Sequence, residues 1–193
     1  MGCSEERETP GQSDLTLMDC IILFAGPSKS GKTTLAKRLA ESLRVPFSSF
    51  GDYVRKEAHR RGLTTTSSTQ LQELGLELAK KDMKSFCEAV LEEGGYVVGN
   101  GLIIDGIRHM GALEAIKTLA PKQPVKLVYL ESSLADRIKR SSLSAGELHQ
   151  VDSHPVESDR AVLKSSADLV LSTSAESDEC FEALLKWTTQ ECN

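Results

Sequence analysis

The sequence predicts an α/β fold of three layers (α/β/α) built on a central five-stranded parallel sheet. Short apolar runs alternate along the chain with stretches in which apolar residues recur every three or four positions, the spacing of one helix face. This alternation is typical of a parallel sheet covered by helices on both faces. The first run, Ile21 to Ala25, is continuous, as in a strand that is buried on both sides.

The other elements follow in order along the chain. A helix face after the first strand is marked by Leu35, Leu39 and Leu43. Thr69 and Gln72 have the spacing of a capping box at the start of a later helix. Further strands are predicted at 46–49, 102–104, 125–130 and 169–171, and further helices around Leu71 to Leu78, Phe86 to Val90, Leu113 to Leu119, Arg137 to Arg140 and Phe181 to Leu185.

Composition indicates one globular domain after a polar N-terminal tail. Residues 1–17 lack apolar periodicity, which predicts a disordered tail, and residues 18–193 form the domain. The chain of 193 residues carries a net charge of −5. This balance disfavours nucleic-acid binding, which usually needs a basic face. No apolar run has the length of about 18 residues that a membrane span needs, so no membrane partner is expected.

The cysteines suggest a reducing compartment. Their number is odd and none of them forms a CxxC pair. We therefore predict no disulfide framework, no zinc site and a cytoplasmic location. The five cysteines are Cys3, Cys20, Cys87, Cys180 and Cys192.

A phosphate-binding loop follows the first strand. Residues 26–33 match the pattern G-x-x-x-x-G-K-[ST] without a mismatch, between a buried strand and a helix. Backbone N–H groups of such a loop form an anion nest at the positive end of the helix dipole. The pattern predicts ATP as cofactor, with Lys32 on the β- and γ-phosphates and the Thr33 hydroxyl on Mg²⁺. The predicted ATP-binding residues are Gly26, Pro27, Ser28, Lys29, Ser30, Gly31, Lys32, Thr33 and Thr34.

Charged residues after the other strands predict the rest of the site. Asp105 follows the run 102–104 directly, where a carboxylate can help to hold Mg²⁺. Arg108 comes three residues later. Asp52 and Arg55 follow the second strand and lie one helical turn apart. These residues share the strand edge at which ligands bind in this architecture, although Asp52 could also be a helix cap.

A second pair of arginines lies three residues apart on one helix. Guanidinium groups suit phosphates and the charge that develops on a phosphoryl group during transfer, so Arg137 and Arg140 are predicted catalytic residues.

The chain resembles the adenylate-kinase-like P-loop kinases, which include nucleoside monophosphate kinases and dephospho-CoA kinases. The resemblance rests on the loop 26–33 and on the stretches 49–55, 104–108 and 136–138, in the same order along residues 20–172. It is also similar to archaeal proteins of this superfamily with the same Gly-Asp-x-x-Arg and Ile-Asp-Gly-Ile-Arg stretches. The resemblance implies a helical acceptor-binding region at 51–95 and a lid at 142–158.

The resemblance also implies roles for three arginines. Arg55 matches the arginine that holds the acceptor phosphate, and Arg137 matches the arginine at the base of the lid, beside ATP. Arg108 resembles a further arginine of the family, one residue early. Phe50 stands where adenylate kinases carry Thr, which argues against adenine-specific AMP binding.

The predicted lid (residues 142–158, hereafter the lid segment) contains no cysteine. Its polar residues His149, Asp152, His154 and Glu157 are expected to be solvated, and Arg160 could reach over the phosphates.

The sequence thus predicts an ATP-dependent kinase with a small phosphate-bearing acceptor, preferably a nucleoside or deoxynucleoside monophosphate. Lys32, Asp52, Arg108, Arg137 and Arg140 are its predicted catalytic residues. A hydroxyl acceptor, as in dephospho-CoA, would use Asp52 as base and stays open. A regulatory ATPase that switches a partner also stays open. The sequence predicts neither the acceptor's base nor the oligomeric state.

Overall fold

A computed structural model describes residues 18–63, 67–173 and 177–192 of the chain. The predicted tail at 1–17 lies outside the described residues. The strands are β1 (Ile21–Ala25), β2 (Phe47–Ser49), β3 (Leu102–Asp105), β4 (Val125–Glu131) and β5 (Leu169–Ser172). The helices are α1 (Lys32–Leu43), α2 (Phe50–Arg60), α3 (Ser68–Lys81), α4 (Met83–Glu93), α5 (Met110–Leu119), α6 (Leu134–Lys139), α7 (Ala145–Asp152), α8 (Arg160–Ser165) and α9 (Ser177–Glu191), with a 3₁₀ helix at Pro155–Glu157.

The five strands form one parallel sheet in the order β2-β3-β1-β4-β5. β1 lies at the centre, with Ile21 opposite Leu102 of β3 and Val125 of β4. All five residues of β1 are fully buried, which explains its continuous apolar run. The predicted five-stranded parallel sheet is confirmed.

Two apolar cores cover the two faces of the sheet. Alternate residues of each strand point to opposite faces, so Ile22 and Phe24 pack against α1 and α9. Leu23 and Ile104 face the other way and pack with residues of α2, α3, α4 and α5. The predicted three layers are therefore present. Burying one such side chain contributes about 1.5–3 kcal/mol.

Local signals explain where the helices of the site begin. Ser49 ends β2 and caps α2, since its Oγ accepts a hydrogen bond from the backbone N–H of Asp52 at 3.3 Å. Asp52 is therefore not the cap of this helix. In α3 the capping box is formed by Ser67 and Gln70, so the box predicted from Thr69 and Gln72 is wrong by two residues.

A disulfide joins Cys20, just before β1, to Cys192 after α9, across 172 residues of sequence. The prediction that the chain has no disulfide is therefore wrong. The pairing arises because α9 packs along the sheet and brings its end to the start of the central strand. Cys87 and Cys180 are free and buried. Among the described residues, no helix is long and apolar enough to cross a membrane.

Candidate active site

The phosphate-binding loop connects β1 to α1 in a conformation that requires glycine. Gly26 has φ 135° and Gly31 has φ 92°, both in the region that favours glycine. A Cβ on Gly26 would lie 2.3 Å from the carbonyl oxygen of Leu130 in β4. Lys29 also adopts a positive φ of 62°, at the tip of the loop. The loop is therefore held in a tight curve against the sheet.

Lys32 and Thr33 lie at the end of the loop and the start of α1, and of the two only Lys32 is buried. The Lys32 Nζ donates a hydrogen bond to the carbonyl oxygen of Pro27 at 2.7 Å. Burial lowers the pKa of Lys32 to about 8, although the carboxylate of Asp105 opposes this shift. The Thr33 Oγ1 donates to Asp105 Oδ2 at 2.5 Å. This bond brings the C-terminal end of the phosphate-binding loop next to the C-terminal end of β3.

A polar cavity of about 570 Å³ opens at this point. Of the predicted site residues outside the loop, it is lined by Arg55, Asp105, Arg108 and Arg140. The loop itself contributes the seven residues from Ser28 to Thr34. The cavity therefore combines backbone amides, five cationic side chains and one carboxylate, a set of groups that suits a polyphosphate.

The polar cavity also fits Mg²⁺. The hydroxyl of Thr33 and the carboxylate of Asp105 are hard oxygen ligands of the kind that Mg²⁺ prefers. Asp105 Oδ1 and Ser30 Oγ are buried and have no hydrogen-bond partner, so both still have a free position for a ligand or an ordered water. Among the described residues, no group of three or more His, Cys, Asp or Glu could hold a metal by itself. Phosphate oxygens and waters would have to complete the ligand set.

An apolar cavity of about 240 Å³ adjoins the polar one. Its walls come mainly from α2, α3 and α4, within the predicted acceptor-binding region 51–95. Phe50 and Phe86 meet edge to face with ring centroids 5.1 Å apart. The lid segment contributes Val151 and Val156. Other apolar lining residues are Val54, Leu71, Met83 and Ala112.

The two cavities share one boundary. Arg55 lies there with its guanidinium bonded to the carboxylate of Asp52 at 2.5 Å, and Arg108 and Lys29 bring two further positive charges. The residues that line both cavities are Ser28, Lys29, Gly51, Arg55, Gly106 and Arg108. The boundary therefore places three cationic side chains between the two cavities.

Four predicted site residues line neither cavity: Gly26 and Pro27 at the start of the loop, Asp52 and Arg137. Arg137 is 5% exposed, and both of its terminal nitrogens bond the carboxylate of Asp152, at 3.0 and 2.6 Å. Its Nη1 also donates to the carbonyl oxygen of Ser28 at 3.2 Å. Arg137 thus links the loop to the lid segment. Arg140 lines the polar cavity and bonds the backbone oxygens of Ser30 and Thr173.

The lid segment packs more deeply than its polar sequence predicts. Asp152 bonds Arg160 at 2.8 Å as well as Arg137, and Glu157 is buried in an ion pair with Arg108. The expectation that Asp152 and Glu157 are solvated is therefore wrong. Their charge is compensated by arginines from other elements, which no local signal in the segment could reveal.

The chain is similar in sequence to several known proteins. Residues 25–154 match the AAA domain family. A cytidylate kinase of Ignicoccus hospitalis is 36% identical over 120 residues, which are 62% of this chain and 62% of that protein. A UPF0200 protein of Pyrobaculum aerophilum is 32% identical over 120 residues, 62% of this chain and 63% of that protein. An adenylate kinase of Bartonella quintana is 24% identical over 152 residues, 73% of this chain and 78% of that protein.

A solved kinase structure has a similar fold. A gluconokinase from Sinorhizobium meliloti 1021 superposes with a TM-score of 0.56 at 15% identity, covering 91% of this chain and 95% of that one. The chain spans less than two thirds of the length of the cytidylate kinase and the UPF0200 protein named above. From the matched residues 25–154, the chain belongs to the AAA domain family, and it has the fold of the P-loop kinases related to adenylate kinase.

Proposed function

We propose that the protein is an ATP- and Mg²⁺-dependent phosphotransferase that moves the γ-phosphoryl group of ATP to a nucleoside or deoxynucleoside monophosphate. One observation carries the proposal: the polar and apolar cavities share a boundary that holds Lys29, Arg55 and Arg108. A donor phosphate and an acceptor phosphate would meet there.

The polar cavity supplies the donor end. Loop amides and Lys32 would hold the triphosphate, and Arg108 and Arg140, which line the same cavity, would contact its outer oxygens. Mg²⁺, when bound by Thr33 and Asp105, would neutralise charge between the β- and γ-phosphates. Since phosphoryl transfer has a loose transition state, positioning and charge neutralisation are the main tasks of the protein. Lys32 and the arginines are suited to both.

The apolar cavity supports an acceptor with a flat, weakly polar part. Aromatic and aliphatic side chains such as Phe50, Phe86 and Met83 suit the face of a nucleobase. Arg55 at its mouth suits the phosphate of the same molecule. The identity between this chain and cytidylate and adenylate kinases supports a nucleotide acceptor further.

The position of Asp52 argues against a hydroxyl acceptor. A hydroxyl would need a base to take its proton, whereas a monophosphate is already anionic. Asp52 lines neither cavity, and its carboxylate is engaged by Arg55. We assign it the role of orienting Arg55.

The proposal includes the cytoplasmic location predicted from the sequence, where nucleotides and ATP would meet the protein. The Cys20–Cys192 disulfide weighs against it, because such bonds are rare in a reducing cytosol. Fluorescence microscopy of the tagged protein would decide the location.

The test is a coupled ADP-release assay with ATP·Mg²⁺ alone and with each nucleoside monophosphate, each deoxynucleoside monophosphate and dephospho-CoA. We expect turnover only with monophosphates, and its loss in Lys32→Ala with unchanged circular dichroism. Lys37→Ala, on the exposed side of the same helix, is the matched control. Strong turnover without acceptor would favour a regulatory ATPase, and turnover with dephospho-CoA alone would favour a hydroxyl kinase.

A further inference from the structure

Arg108 reaches the cavity boundary as one half of a buried ion pair. Its partner is Glu157 in the 3₁₀ helix Pro155–Glu157, whose side chain is 1% exposed, whereas that of Arg108 is 34% exposed. A carboxylate this deeply buried is costly unless a positive charge compensates it. Glu157 is therefore held at this place by Arg108, and Arg108 by Glu157.

Other residues of the lid segment hold Glu157 next to Arg108. Val156 beside it is 3% exposed and forms part of the apolar cavity's wall. In α7, the carbonyl oxygen of Val151 accepts a hydrogen bond from Gln72 Nε2 of α3 at 3.2 Å. In the structure, the pair with Arg108 forms while this segment lies against α3 and lines the apolar cavity.

Other carboxylates compete for the same guanidinium. Asp105 and Asp152 both act on the charge of Arg108, and Arg160 repels it. Without Glu157, Arg108 would lose the ion pair that fixes its guanidinium at the boundary between the cavities. A guanidinium has five N–H donors and one carboxylate can occupy only two of them, so Arg108 keeps donors for phosphate oxygens while Glu157 fixes its plane.

We infer that Glu157 is a positioning residue that orients Arg108 toward the transferring phosphoryl group, and does so only when the lid segment covers the apolar cavity. The inference rests on the proposed phosphotransferase function. Arg108 is then placed correctly only when the lid segment encloses the acceptor. Glu157 couples the two events and itself contacts no substrate.

A double-mutant cycle tests the inference. Glu157→Gln should lower kcat by about 10- to 100-fold, the scale expected for a misplaced catalytic group, and leave the KM for ATP within about twofold. In an Arg108→Ala background, the same change should have no further effect on kcat. Glu147→Gln serves as the matched control, because this exposed carboxylate of the same segment contributes only to the capping of α7.

Two results would overturn the inference. One is a loss of kcat from Glu157→Gln that is as large in the Arg108→Ala background as in the wild type, which would mean a general structural role. The other is unchanged kcat in Glu157→Gln. If Glu157→Gln fails to fold, Glu157→Asp replaces it in the same double-mutant cycle. This variant keeps the charge and shortens the side chain by one methylene.

The experiments distinguish an error in the proposed phosphotransferase function from an error in the role of Glu157. A folded wild type that transfers phosphate to no acceptor removes the proposed function. A wild type that is active but shows an additive cycle removes only the role of Glu157. Amide hydrogen exchange of residues 145–157 adds a readout that needs no turnover: Glu157→Gln should raise exchange there, and Glu147→Gln should not.

Discussion

The hydroxyl of Thr33, at the start of α1, donates a hydrogen bond of 2.5 Å to Asp105, at the end of β3. Residues 72 positions apart in sequence thus bring their oxygen atoms to one point beneath the phosphate-binding loop. Both atoms are ligands of the kind that Mg²⁺ prefers.

Asp105→Asn should therefore raise the Mg²⁺ concentration needed for half-maximal activity by about tenfold or more, because the charged metal ligand is lost. The measurement is ADP release against Mg²⁺ concentration at saturating ATP. Thr33→Ser keeps the hydroxyl and should stay near wild type, whereas Thr33→Val should behave like Asp105→Asn. An unchanged Mg²⁺ requirement in both Asp105→Asn and Thr33→Val would contradict the metal assignment.

The buried amine of Lys32 predicts how ATP affinity depends on pH. Burial lowers its pKa from 10.5 to about 8, and a bound triphosphate would favour the protonated form. ATP affinity should fall about tenfold between pH 7 and pH 9, as the protonated fraction of Lys32 declines. Calorimetric titration with ATP·Mg²⁺ measures this slope. In Lys32→Arg, which stays charged, the slope should vanish whatever the absolute affinity.

The lowered pKa of Lys32 also predicts how the stability of the ligand-free protein changes with pH. The folded protein binds fewer protons than the unfolded chain between about pH 8 and 10.5, because the pKa of Lys32 is lower in the folded state. This group's contribution to the free energy of unfolding therefore grows as pH rises through that window.

Arg55 should affect the acceptor and not the donor. Arg55→Ala removes a charge-assisted contact at the mouth of the apolar cavity, so the acceptor KM should rise about tenfold or more while the KM for ATP changes little. Arg60→Ala is a matched control: it lies on the same helix with the same 57% side-chain exposure, and it lines neither cavity. Equal rises in both KM values for Arg55→Ala would refute the assignment.

Gly26 should tolerate no side chain. A Cβ there would meet the Leu130 carbonyl oxygen at 2.3 Å and would also adopt a positive φ, so Gly26→Ala should lower the free energy of unfolding by about 3 kcal/mol. Gly99→Ala is the matched control, with φ 89° and no atom within 4 Å of its Cβ. It should cost only about 1 kcal/mol. Urea denaturation of both variants measures the difference, and equal losses would show that the contact with Leu130 is unimportant.

The parts of the fold that the sequence predicts well have signals confined to a few neighbouring residues. The run Ile21 to Ala25, the loop after it and the leucines of α1 form one continuous signal, and the structure confirms the strand and the helix. The capping of α3 shows the limit of such signals. Thr69 with Gln72 and Ser67 with Gln70 have the same spacing, and only the position at which the chain leaves its loop selects the second pair.

Interactions between distant residues could not be predicted in this way. Asp152 and Glu157 look like solvated acids in sequence, because their partners Arg137 and Arg108 come from other elements. The sequence places Arg137 beside ATP but gives no sign of its bonds to Asp152, which the structure adds to the bond with the Ser28 carbonyl oxygen of the loop. Burial of a charge depends on its tertiary partner, which one unaligned sequence does not reveal.

The Cys20–Cys192 disulfide would keep the protein in one piece after a single cleavage of the chain. Residues 20–192 form a covalently closed ring, so one proteolytic nick at any exposed turn would leave both pieces connected. Such a nicked molecule would keep its mass on a non-reducing gel and would separate into two fragments once the bond is reduced.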